Sequence, residues 1–94
     1  MDEIITVVPE NGIHARPASK IVEAANRYEC TVEIEAMNDS GKKADASSMV
    51  NLTTLGVTGG EKVRLIAEGQ NAAEAIEEIK QILTTSVTEM HDDT

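Results

Sequence analysis

The chain predicts an α+β fold in the order βαββαβα, with four mainly antiparallel strands in one sheet and three helices packed on one of its faces. Three observations support this. Segments of period two, each with one apolar face, are interleaved with segments whose apolar residues recur every three or four positions. Glycines and an Asn-Asp-Ser-Gly cluster separate them. At 94 residues the chain has room for one layer of helices on a sheet and not for two cores, so 1–94 is expected to form a single domain.

Ile4 to Val8 is β-branched and closed by Pro9, a strand with Ile5 and Val7 inward, followed by a turn at Asn11-Gly12. From Pro17 to Tyr28, residues Ala18, Ile21, Val22, Ala25 and Tyr28 share one face of a helix. Cys30, Val32, Ile34 and Ala36 alternate with Thr31, Glu33 and Glu35 in the clearest strand. After the Asn38-Asp39-Ser40-Gly41 turn, the segment through Asp45 returns as a short polar strand at a sheet edge. Ser47 to Thr54, with Met49, Val50 and Leu52 as its apolar members and Gly56 beyond, suits a brief helix. Gly59-Gly60 turns the chain, and Val63, Leu65 and Ala67 form the inward side of a fourth strand ended by Gly69. Asn71 followed by Glu74 is a variant capping box for a last helix carrying Ala72, Ala75, Ile76, Ile79, Ile82 and Leu83. Beyond it, helix propensity falls, and about 89–94 reads as a frayed acidic tail in which His91 has no role.

Tyr28 is the one aromatic residue, so the core is built from aliphatic side chains. Seventeen acidic against eight basic residues give a net charge of −9, which repels nucleic acid and anionic membrane as main partners. No apolar run approaches the ~20 residues of a membrane span, and Asp2 and Glu3 stand where a secretory signal would be positive, so a cytoplasmic location without membrane insertion is expected. Cys30 has no Cys or His neighbour in sequence, giving no metal-ligand pattern, and reads as buried packing.

The stretch Asn11-Gly12-Ile13-His14-Ala15-Arg16-Pro17-Ala18-Ser19 sets a histidine just ahead of a helix, where short oxygen-bearing side chains normally cap. Pro17 disfavours helical backbone at Arg16, which places the end of the turn near Arg16 and Pro17 in the first helical turn, where its missing N–H costs nothing. Unpaired amides there, with the positive end of the helix dipole, suit an anion. A neutral imidazole with Arg16 two residues on supplies a nucleophile and donors for phosphate oxygens. The same residues are also compatible with a surface-turn histidine and a solvated arginine.

Gly12-Ile13-His14-Ala15-Arg16-Pro17-Ala18 resembles the phosphorylation-site signature of the HPr family, the histidine-containing phosphocarriers of the phosphoenolpyruvate-dependent sugar phosphotransferase system. The resemblance runs on through Gly41-Lys42, Ser47-Ser48-Met49-Val50, Leu55-Gly56, Gly59-Gly60 and the last helix, leaving out only the tail. It implies an open-faced β-sandwich. It further implies that enzyme I hands a phosphoryl group to Nδ1 of His14, which passes it to an enzyme IIA component of a sugar permease, with Arg16 and the helix start at Ala15, Pro17 and Ala18 holding the phosphate. No metal or cofactor is implied for the carrier. Met49, Val50 and Thr53 map to the family's docking surface, and Ser48 to a serine that a dedicated kinase phosphorylates in some bacteria. A serine there is also what helix capping prefers.

Glu23, Asn26 and Asn51 stand where family members often carry lysines, which thins the basic rim. With the charge of −9, this suggests either a high-salt cytoplasm, where screening removes charge steering, or an ordinary acidic protein. Two other functions keep or discard the chemistry: phosphoryl donation to a dihydroxyacetone kinase or regulatory phosphotransfer chain, and a docking module that transfers nothing. Retention of both His14 and Arg16 argues against the latter. The charged surface, with no long apolar stripe beyond the helices, favours a monomer.

Overall fold

The computed structural model describes residues 1–9 and 12–85. The order is β1 (Asp2–Thr6), α1 (Ala15–Arg27), β2 (Cys30–Ala36), β3 (Lys43–Asp45), α2 (Met49–Thr53), β4 (Lys62–Gly69) and α3 (Ala72–Thr84). The strands form one antiparallel sheet in the order β1-β4-β2-β3, so the last strand in sequence lies between the first two and β3 takes an edge.

Alternation along the strands does what period two requires. Ile5, Val32, Ile34, Ala36, Ala44, Val63, Leu65 and Ala67 are buried on one face under the helices. In-register rows such as Ile4, Arg64, Glu35 and Lys43 lie on the other. There Arg64 reaches Glu35 (3.8 Å) and Asp2 (4.0 Å) on its two neighbouring strands. From above, α1 contributes Pro17, Ala18, Ile21, Ala24 and Ala25, and α3 contributes Ala72, Ala75, Ile76, Ile79 and Leu83. Val22, Tyr28 and Ile82 pack at the margin of this core.

Four local expectations are corrected. The first strand runs Asp2–Thr6 and not Ile4–Val8, because its pairing is set by β4, which begins at Lys62 opposite Thr6. At the other end, the N-terminal amine donates to the Ala67 carbonyl (3.0 Å) and draws Asp2 into the ladder. Asn71 is the N-cap of α3 but makes no side-chain capping bond; its backbone (φ −109°, ψ 34°) is not the extended conformation that aims a cap side chain at the first amides. Cys30 is half-buried, since it opens β2 at the sheet end where α1 has already stopped at Arg27. Gly69 pairs with it so closely that a Cβ on Gly69 would lie 2.7 Å from the Cys30 Cα, at a backbone φ of +133°. Finally, α1 begins at Ala15, two residues ahead of the expected start. The tail with His91, and Asn11 of the first turn, lie outside the described residues.

Polar links tie the layers together. Lys80 on α3 meets Glu3 on β1 at 2.8 Å, and this hydrogen bond raises the Lys80 pKa. At the end of α1, Arg27 and the Tyr28 hydroxyl (2.8 Å) both donate to Glu78 on α3. Burial alone would raise the Glu78 carboxyl, but these two donors outweigh it and hold its pKa below the ordinary value of 4.5. A carboxylate whose pKa is lowered by folding stabilises the native state above its unfolded pKa, and that stabilisation disappears as pH falls through the folded value. Wild type should therefore lose more stability than Glu78→Gln between pH 7 and about pH 3 in urea melts, and equal losses would contradict this account.

Candidate functional site

The segment before α1 is held from below by its own backbone. The Gly12 amide donates to the Pro9 carbonyl (2.8 Å), and the Ile13 amide to the Val57 carbonyl (3.4 Å). Gly12 adopts φ +68°, and a Cβ there would stand 1.8 Å from the Val57 oxygen and 2.7 Å from the Thr58 Cα, so no larger residue fits. Ile13 is buried beside it. These contacts deliver the chain, at a fixed height and direction, to His14.

His14 is the N-cap of α1, in extended backbone (φ −94°, ψ −168°). Its carbonyl accepts the Ala18 amide at 2.9 Å, the first bond of the helical ladder, while its imidazole makes no capping bond. Burial of Pro17 and Ala18 in the core anchors this turn, which draws Ala15 and Arg16 into helical geometry despite the preference of a residue before proline. Pro17 does sit in the first turn, where it has no N–H to leave unpaired. Pro17 has no amide hydrogen and Ala18 gives its own to His14, so the amides without a helical acceptor are those of Ala15 and Arg16.

The imidazole is half-exposed, but its Nε2 is buried with no hydrogen-bond partner among the described residues. That leaves Nδ1 as the ring nitrogen an incoming group can reach. Arg16 is exposed and has no ion pair among the described residues, whereas Arg27, Arg64 and Lys80 are each committed to carboxylates. The helix start thus combines a nucleophilic nitrogen, two amides, the positive end of a 13-residue helix and an uncommitted guanidinium.

The short helix α2 packs against α1. Ser48 is its N-cap, its hydroxyl accepting the Asn51 amide at 3.2 Å. This is the capping use of the serine. Ser47 precedes the cap and instead donates its amide (2.9 Å) and hydroxyl (2.7 Å) to Asp45, lowering that carboxyl's pKa, the amide bond being the larger cause. Leu52 anchors α2 in the core, leaving Val50 70% and Met49 38% exposed. Thr53 is exposed too, but its hydroxyl turns back to the Met49 carbonyl (2.9 Å). Sequence patterning did not reveal the role of Val57 and the turn after it in holding the His14 loop. The signal was Gly12, whose need for space becomes apparent once its neighbour is known.

Fold and helix start together define the class: a small α+β domain that presents a histidine at the N-terminus of a helix, beside first-turn amides without a helical acceptor. The family model for the PTS HPr component phosphorylation site matches residues 1–85. The phosphocarrier protein HPr of Haloferax volcanii is 46% identical over 85 residues, covering 90% of this chain and 94% of that one. A crystal structure of a phosphocarrier protein HPr from Bacillus anthracis superposes with a TM-score of 0.80 at 30% identity, over 88% of this chain and 95% of the other. A multiphosphoryl transfer protein of Haemophilus influenzae is 29% identical over 84 residues, which are 89% of this chain and 17% of that protein. The chain belongs to the HPr family of phosphocarrier proteins of the phosphotransferase system.

Gly12→Ala should cost at least about 2 kcal/mol, because it adds a left-handed backbone penalty to a collision with a carbonyl oxygen. Urea denaturation checks this, and a variant as stable as wild type would contradict the packing described.

Proposed function

We propose that His14 accepts a phosphoryl group at Nδ1 from phosphorylated enzyme I and passes it to an enzyme IIA component of a sugar permease, in the cytoplasm. The observation that carries this reading is the helix start itself: Nε2 is buried while the amides of Ala15 and Arg16 have no helical acceptor. In the transfer, the Nδ1 lone pair forms the new P–N bond as the donor's bond to phosphorus breaks, and the ring proton resides on Nε2. Little covalent work falls to the protein; it positions the acceptor and stabilises charge on the phosphoryl oxygens. The two amides and the helix dipole do so from fixed places, and Arg16 from a flexible side chain. A carrier must also release its group, so a stabiliser that can swing aside serves better than a rigid cage.

Docking of both partners falls to Met49, Val50 and the outer side of Thr53, exposed on α2 next to α1. Apolar side chains left outside a well-packed core mark a contact surface. Phosphorylation of Ser48 by a serine kinase would be compatible with the helix dipole at this N-cap but would add negative charge to the docking face.

Incubation with phosphoenolpyruvate and an active enzyme I should give acid-labile, base-stable label on wild type and none on His14→Ala. Equal label on both, or none on wild type, would overturn the assignment.

A further inference from the structure

The loop that carries His14 rests on a turn that its own sequence makes weak. Thr58-Gly59-Gly60-Glu61 contains two consecutive glycines, the residues with the most backbone freedom to lose, and Gly60 sits at φ +93°. Yet this turn is the floor of the site. On one side, Val7 donates its amide to the Glu61 carbonyl (2.8 Å) and accepts the Gly60 amide at its own carbonyl (2.7 Å). On the other, Val57 and Thr58 meet Gly12, and the Val57 carbonyl accepts the Ile13 amide. One side-chain bond closes the turn among the described residues: the Glu61 Oε1 accepts the Thr58 amide at 3.2 Å, opposite the Glu61 amide, which donates to the Thr58 carbonyl at 3.2 Å.

We propose that Glu61 is a positioning residue for phosphoryl transfer, locking the Thr58–Glu61 turn so that Val57 and Thr58 hold Gly12 and Ile13, and through them His14, in one place. This rests on His14 being the acceptor. Glu61 touches neither the imidazole nor the phosphate; it acts through two backbone contacts. What it supplies is a hydrogen-bond acceptor at a given reach, not a charge. Removing it leaves a Gly-Gly turn held by backbone bonds alone, and small displacements of a nucleophile cost rate out of proportion to stability.

The test compares Glu61→Ala, Glu61→Asp and Glu61→Gln with wild type, measuring the rate of His14 labelling from phosphoenolpyruvate and enzyme I together with backbone amide shifts. Alanine and aspartate, which removes one methylene of reach, are expected to slow labelling by about threefold to tenfold. They should shift the Gly12, Ile13 and His14 amides and leave those of Arg27 and Gly69, at the other end of the sheet, unmoved. Glutamine keeps an acceptor oxygen at the same reach and is expected to restore both rate and shifts. Wild-type rates in alanine and aspartate, or a loss in glutamine equal to that in alanine, would overturn the proposal. If wild type takes no label on His14, it is the acceptor assignment that falls, and the amide shifts then decide on their own whether Glu61 positions the loop.

Discussion

Insertion of β4 between β1 and β2 is the constraint on which the site depends. Because β4 pairs with β1, the turn that leads into β4 must lie beside the chain that leaves β1, and this juxtaposes Thr58–Glu61 with Val7 and Gly12. The His14 loop is therefore braced by a segment more than forty residues away in sequence. The same strand carries Val63, Leu65 and Ala67 into the core, so apolar burial, the main driving force of folding, assembles the brace as it assembles the sheet. A loop built this way depends on a glycine where backbones meet and on a buried Ile13 beside it.

Charge is distributed to a different end. Of the basic residues, Arg27, Arg64 and Lys80 are paired with carboxylates that link neighbouring elements, while Arg16 stands without an ion pair among the described residues, at the helix start. On a chain of net charge −9, that guanidinium and the helix dipole form a local exception to a repulsive field. The short helix α2, which carries exposed apolar side chains, packs against α1, so the group proposed to receive phosphate and the surface proposed to dock partners belong to adjoining helices.

Much of this was legible from residue patterns because the patterns report burial. Val32, Ile34 and Ala36 alternate since only one sheet face is covered, and Ile76, Ile79 and Leu83 recur since only one stripe of α3 meets the sheet. The histidine ahead of Pro17 was legible as an unusual helix start, and the string around it carried the family resemblance. Strand order was not legible, since alternation says which face is dry and nothing about which strand is the neighbour. Cap chemistry was legible at Ser48, whose hydroxyl does accept an amide, and misleading at Asn71, where the backbone turns the side chain away. The division of first-turn amides, with Ala18 spent on the ladder and Arg16 left free of it, depended on a helix start that the rule for residues before proline placed too late.

The central claim is that burial of Nε2 and the uncommitted first-turn amides make Nδ1 of His14 the atom that carries phosphate. The most direct measurement is nitrogen–phosphorus coupling in an NMR spectrum of nitrogen-labelled protein phosphorylated through enzyme I. Coupling of phosphorus to Nδ1 of His14 is the predicted result; coupling to Nε2, or phosphate on any other residue, would contradict it.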